Sequence, residues 1–538
     1  MKKFFSKLTD SDLFPGQSHS SHPPPQESHQ PSTLQAPTPT DVFRYRYHHG
    51  VNLGSAFVLE RWLTGSMFPG SAKGGSELDA VTASIKEHGV EETRRKWEEH
   101  WRGFVNEGDW EFLVKEGRGT SIRLPVGWWM MGDLREMCKG SEWEGLESVY
   151  SGAWTAAKAL IAQARHHGIG ILIDLHGLPG GANGEEHSGT SKGKASLWGH
   201  KKHLSRALDA LRFIAIEIRG LDNVVGIQIL NEACHNPHGM HEFYEHAINT
   251  IAEVDQNIPV YVSDAWNLGD ALNWVTGRNL WSGHGKPTNP IVIDTHRYYT
   301  FSDEDRSKSP QEIIGTIGGE LGELDGKAGS LSDRGEAQVI VGEWSCVLDG
   351  QTWSRVQPEE KDHLVTQFGH AQSQKWAQKA GGSYFWTWKM DWMDGGEWGF
   401  VEQTKKGNIY IPGHLTLPAH EIPARASHAQ NSRAELGAAA KGNHEGYWNQ
   451  TSPGQYFEHW LYGGGWEIGF SDAMAFFTMR SQGALGESVR GEGGDKIGCL
   501  EIWVKKRFLE SGRRGPLKWE WEQGFRAGVA AFEGAVGI

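Results

Sequence analysis

Eight short runs of almost unbroken apolar residues recur along this chain, at 50–54, 120–125, 170–176, 224–230, 259–263, 290–296, 338–343 and 382–388. A strand with one wet face alternates apolar with polar residues. A run without alternation reads as a strand covered on both faces, as in a parallel sheet. Between the runs, stretches such as 153–166 and 204–218 carry apolar residues at helical spacing. Parallel neighbours need a crossover, usually a helix. Eight such units predict a (β/α)8 TIM barrel. A doubly wound sheet is the alternative, but no Gly-x-Gly-x-x-Gly follows the first run and no Walker A pattern occurs.

A barrel of this kind keeps its reacting groups at the C-terminal ends of its strands. Arg123, His176, Asn231, Glu232, His296, Tyr298, Glu343 and Trp386 all fall at or near such ends. Two runs finish on a carboxylate, Ile-Gln-Ile-Leu-Asn231-Glu232 and Val-Ile-Val-Gly-Glu343. Burying an unpaired charge costs several kcal/mol, so a strand tip gains nothing in packing from it. Either Glu alone could simply open a polar loop. Two together suggest paired carboxylates facing one cleft, the minimum equipment for hydrolysing a glycosidic bond.

Composition narrows the partners. The net charge of −14 argues against nucleic acid or an anionic membrane surface, both of which reward a basic face, and fits a neutral substrate. Cys138, Cys234, Cys346 and Cys499 form no Cys-x-x-Cys pair and are too scattered for a disulfide framework. Cys234, His235, His238 and His241 have spacings that suggest a metal, but they sit in an Asn-, Pro- and Gly-rich loop with no matching carboxylate pattern. No metal, no cofactor and a monomeric state are the expectation. The N-terminus begins like a leader and is broken by Ser6, Lys7, Thr9 and Asp10. No run of 18 apolar residues offers a membrane span. A cytoplasmic location is the default expectation, with non-classical secretion left open.

Residues 1–41, rich in Ser, His, Pro and Gln, are predicted to form a disordered tail. The barrel domain is expected to span 42–538, with a surface insertion at about 403–455. Near the C-terminus, Trp466-Glu-Ile-Gly-Phe470 with Phe477 is echoed by Trp521-Glu-Gln-Gly-Phe525 with Phe532. These spacings suit one face of a helix. They predict core packing that completes the barrel's outer ring.

Seven segments carry a family resemblance over about residues 42–402. In chain order they are Gly50-Val-Asn-Leu-Gly with Glu60-Arg-Trp62, Ile-Arg123-Leu-Pro, Asp174-Leu-His176 running to Asn183-Gly, Leu-Asn231-Glu232, Asp294-Thr-His296-Arg-Tyr298, Gly342-Glu343-Trp-Ser345, and Phe385-Trp386-Thr-Trp388. The chain thus resembles glycoside hydrolase family 5, and within it the fungal exo-β-1,3-glucanases. The resemblance implies a retaining hydrolase that removes glucose from β-1,3-glucan ends. A β-1,4- or β-1,6-glucan, an intracellular glucoside of a lipid, or a catalytically inactive carbohydrate-binding barrel are the alternatives. It further implies Glu232 as general acid/base and Glu343 as nucleophile. Arg123 would keep Glu343 ionised, and a less polar wall would keep the proton on Glu232. Asn231 would bind the sugar 2-hydroxyl, while His296 and Tyr298 would orient the nucleophile. Trp386 would be the platform under the sugar, with His176, Asn183 and Glu60 holding its other hydroxyls. Ala233 departs from the family's Pro and is expected to loosen that turn.

Overall fold

A computed structural model describes residues 34–279, 289–327, 335–486 and 492–538. The eight apolar runs form eight parallel strands: β1 (His48–Asn52), β2 (Ser121–Gly127), β3 (Gly170–Gly177), β4 (Val224–Gln228), β5 (Val260–Ser263), β6 (Ile291–Tyr299), β7 (Gln338–Leu348) and β8 (Gly382–Phe385). They close in sequence order, with β1 pairing β8 through His48↔Gly382 to Val51↔Phe385. The (β/α)8 barrel expected from the run pattern is the observed fold. The 153–166 stretch is the helix Ala153–His166, and the 204–218 stretch lies in Lys201–Glu217.

Two irregularities aim the strand ends. Asp294 pairs with Ile340 and Thr295 with Val341, but His296 pairs with Glu343. The skipped residue breaks the two-residue alternation and lets Glu343 turn inward beside His296, which is what a bulge does for a side chain. After β4 the chain turns sharply, and Glu232 sits at φ 41°, a left-handed conformation uncommon outside glycine and a mark of functional sites. Ala233 follows it fully buried, and its N–H donates to Ser263 Oγ at 3.3 Å. A proline there has no N–H to give. The turn is held, not loosened.

The C-terminal residues correct the sequence reading most. The stretch read as a surface insertion carries a helix of 31 residues, Glu421–Thr451. Three more helices follow, His459–Met479, Leu500–Ser511 and Lys518–Val536. They do not extend the outer ring. Their apolar faces share one core with Leu172, Val225, Tyr261, Val292, Ile340 and Tyr384 from the lower part of the barrel. Polar contacts meet the same end: Tyr47 N–H donates to Lys496 O, and Glu501 N–H to Gln338 Oε1. These helices floor the barrel at the N-terminal ends of its strands. In His459–Met479 and Lys518–Val536 the buried residues, glycines and aromatics among them, recur at helical spacing along one broad face.

The tail expected over 1–41 lies mostly outside the described residues. Its last part is ordered: Pro39–Tyr45 is a helix with a reciprocal Thr38/Asp41 capping box, and Val42, Phe43 and Tyr45 are buried. Among the described residues no helix is long and apolar enough to cross a membrane.

Candidate active site

Arg123, on β2 and wholly buried, is the hub of the cleft floor. Its Nε donates to Gln228 Oε1 at 2.8 Å, and Nη1 donates to Asn52 Oδ1 at 3.0 Å and Glu343 Oε1 at 2.8 Å. Nη2 donates to Asn231 Oδ1 at 2.7 Å and lies 3.1 Å from Asp174 Oδ2. Burial works against the guanidinium charge, but Asp174, Glu343, Asp294 and Glu232 more than offset it and raise its pKa above the ordinary arginine range. A planar five-donor fork suits this many-sided role, which a lysine could not fill.

Around the hub the expected residues come together. Tyr298 donates its hydroxyl to Glu343 Oε2 at 2.9 Å. His176 Nδ1 faces Asp174 Oδ2 at 2.6 Å, so its Nε2 is left to accept from Asn231 Nδ2 at 3.3 Å. Asn183 donates to the Glu232 carbonyl at 2.8 Å and so fixes the turn behind that residue. Trp386 lies just past β8 with its ring nearly parallel to His176, centroids 6.0 Å apart. Glu60 is buried and accepts from Trp62 Nε1 at 2.9 Å; burial pushes its carboxyl above the usual range, with His187 and His176 opposing.

The two strand-end carboxylates face each other across His296. Oxygen atoms of Glu232 and Glu343 lie within 4.8 Å of one another and of the His296 ring nitrogen. His296 bonds mainly to Glu232 and not to Glu343: its Nδ1 is 2.7 Å from Glu232 Oε1 and 3.6 Å from Glu343 Oε2, with Nε2 at 3.1 Å from Asp294. Both ring nitrogens thus face carboxylates. Burial opposes the imidazolium, but Glu343 and Asp294 raise its pKa well above the ordinary histidine value.

The expected apolar wall around Glu232 is not there. His187 Nε2 lies 3.1 Å from its Oε2, on the side opposite His296's contact with Oε1. Burial disfavours the carboxylate, yet hydrogen bonds and charge from His187 and His296 hold it well below its usual range. In exchange His187 rises to about 9, burial opposing and Glu232 driving the shift. Glu232 and the two imidazoles that bracket it thus form one hydrogen-bonded group.

Asn52, Gln228, Asp174, Asp294 and His187 received no role from the sequence, although Asp174 and Asp294 open two of the family segments. The first four sit one layer below the cleft on inward strand positions. The Asp-x-His pattern in both β3 and β6 was a readable signal, since a spacing of two puts each Asp on the same face as its His. His187 sits in a loop after β3 with no periodicity to mark it. The Cys234, His235, His238 and His241 set does not converge: His241 stacks on Trp274 with centroids 5.0 Å apart, and no grouping among the described residues includes these four.

Residues 79–391 match the family model for cellulase (glycosyl hydrolase family 5), and residues 429–536 match the model for the glucan 1,3-β-glucosidase 3 C-terminal domain. An uncharacterized glycosyl hydrolase of Saccharomyces cerevisiae is 31% identical over 504 residues, covering 91% of this chain and 92% of its own. Glucan 1,3-β-glucosidase 3 of Schizosaccharomyces pombe is 30% identical over 488 residues, covering 90% and 95%. Among solved structures, rutinosidase from Aspergillus niger superposes with a TM-score of 0.50 at 19% identity, over 68% of this chain and 98% of that one. That last likeness concerns the fold.

Proposed function

This chain belongs to glycosyl hydrolase family 5, and from that premise we propose that it removes glucose from the ends of β-1,3-glucan with retention of configuration. The observation that supports retention is the closeness of the two carboxylates, one oxygen of each lying within 4.8 Å of the other, while the glucan substrate rests on the relatives named glucan 1,3-β-glucosidase. Retaining enzymes hold their pair at about 5–5.5 Å, and inverting ones keep about 6.5–9.5 Å to admit a water. Glu343, gripped by Arg123 and Tyr298, attacks the anomeric carbon. Glu232 protonates the departing glycosidic oxygen and later takes a proton from water. The proton it delivers belongs to the Glu232–His187–His296 group as a whole, a coupled titration and not a property of one carboxyl. Arg123 places Asn231 for the sugar 2-hydroxyl, and Trp386, His176, Asn183 and Glu60 line the remaining sugar face. We read residues 42–538 as one catalytic unit, supported by the core that the barrel shares with its C-terminal helices.

A second reading changes only the leaving group. Trp62, Trp266, Phe301 and Trp392 are 41%, 50%, 61% and 44% exposed. Trp62 packs against Trp392 and Trp398, while Trp266 lies against His296. Exposed apolar patches of this kind mark binding surfaces. This rim suits a glucoside with an apolar aglycone, such as a lipid, as well as a glucan chain. The test is a product profile on laminarin-type β-1,3-glucan and on a glucolipid, run beside a Glu343→Gln control. Glucose alone from laminarin supports the first reading, and glucose only from the glucolipid supports the second. Turnover of neither above the control contradicts both.

A further inference from the structure

The C-terminal helices hold a second convergence of ligand-type side chains, far in the chain from the cleft residues. His444 comes from the helix Glu421–Thr451, His459 opens the helix His459–Met479, and Glu520 lies in the first turn of Lys518–Val536. Glu520 is wholly buried, its partner His444 nearly so, and the His459 side chain is 19% exposed. His444 Nε2 and His459 Nδ1 approach the same oxygen, Glu520 Oε2, each at 2.9 Å. All three atoms lie within 4.8 Å of one another. The other carboxylate oxygen accepts the Glu458 N–H at 2.7 Å, which fixes the carboxylate rotamer.

We propose that His444, His459 and Glu520 form a binding site for a divalent transition metal, zinc foremost, that clamps the three helices together. Two imidazole nitrogens and one carboxylate oxygen are a donor set zinc takes readily, with bonds of about 2.0–2.2 Å. Tetrahedral bonds of that length set the ligand atoms about 3.3 Å apart. The two observed 2.9 Å separations reach this by a shift of a few tenths of an ångström. Each imidazole then carries its proton on its other ring nitrogen, His444 Nδ1 and His459 Nε2. The half-open side at His459 leaves a fourth position for water. Elsewhere the wall is aromatic: Tyr462 stacks on His444 at 4.0 Å, and Phe457 on His459 at 5.4 Å. Such a shell keeps solvent away and holds the ligand rings in place. Because the three ligands come from separate helices, metal binding is coupled to their packing.

The experiment uses the full chain, stripped with a chelator, dialysed, and re-equilibrated with zinc ion alone. Metal content and thermal midpoint are read for the wild type, His459→Ala and the milder His459→Gln. The expected result is about one zinc per wild-type chain, a midpoint several degrees higher with zinc than without, and loss of both effects in the two variants. Cobalt(II) in place of zinc should give the visible bands of a tetrahedral site in the wild type only. Zinc retained equally by the variants would place it elsewhere, for example among Glu232, His296 and Glu343, and would overturn the proposal. So would a wild type that takes up no zinc and does not change its midpoint, leaving the three groups as a hydrogen-bonded clasp. Hydrolysis of an aryl β-glucoside at 25 °C checks that each variant is folded.

Discussion

Arg123 shows how much one buried residue can organise. It touches Asn52, Gln228, Asn231 and Glu343 by hydrogen bonds and lies against Asp174. Arg123→Ala leaves buried carboxylates without their counter-charge, which costs about 3–5 kcal/mol when one partner of a buried pair is removed. Denaturant melts should show that loss, and Arg123→Lys should recover only part of it. The carboxylate roles are separable by chemical rescue. With azide present, Glu343→Ala should yield the α-glucosyl azide, because azide enters from the vacated nucleophile side. Glu232→Ala should yield the β-azide, because Glu343 still forms the covalent intermediate. Product NMR reads both, and reversed anomers would exchange the roles. His187 gives a pH signature. Its pKa rises on folding from 6.5 to about 9, so its stabilisation is complete below about pH 6.5 and is lost as pH climbs toward 9. Glu232, lowered by its histidines, contributes in the opposite sense, a stabilisation lost only well below pH 4.5. The thermal midpoint should therefore fall between pH 6.5 and 9, and fall less in His187→Gln. Glu232 and Glu343 stood out in the sequence because a charge at the tip of an apolar run has no packing use, whereas Arg123, inside its run, stood out through the family segments. His187 did not, because a loop carries no period and its partner lies on the next strand end.

At the scale of elements, the strands were readable, and so was a helix face in each half of the C-terminal aromatic echo, but where those helices dock was not. A strand buried on both faces announces itself in five or six apolar residues. A helix crossing depends on a partner far along the chain. The Trp-Glu-x-Gly-Phe echo was read as aromatic packing, and its aromatic residues are indeed buried. The glycines matter as much. A Cβ on Gly469 would meet Phe525 O at 2.1 Å, and one on Gly524 would meet Tyr462 O at 2.0 Å. The helices His459–Met479 and Lys518–Val536 therefore run backbone against backbone, with the repeated motif supplying both halves of the crossing. Carbonyls cannot move aside as side chains can. Gly469→Leu should cost about 3 kcal/mol or more, at the upper end of overpacking effects. A shift of several degrees in the thermal midpoint would register it, and an unchanged midpoint would mean the crossing is looser than described.

For the whole molecule, the candidate cleft and the helical support occupy opposite ends of one barrel. The cleft lies at the C-terminal ends of the strands, and the helical floor covers the other end. Tyr261, Tyr384 and Leu172 would be bared if that floor were removed. A chain ending at residue 417 should therefore fail to give a monomeric barrel, as read by sedimentation and by near-UV circular dichroism. Full activity from such a chain would contradict the shared core. The eight apolar runs pointed to the barrel half; the floor stayed hidden because where its helices dock depends on partners far along the chain. We propose that Glu232 and Glu343 act as a retaining pair. Proton NMR of the first minutes of aryl β-glucoside hydrolysis tests it most directly. The pair separation calls for β-glucose first, with α-glucose appearing only as the free sugar mutarotates. α-Glucose as the first product would contradict it.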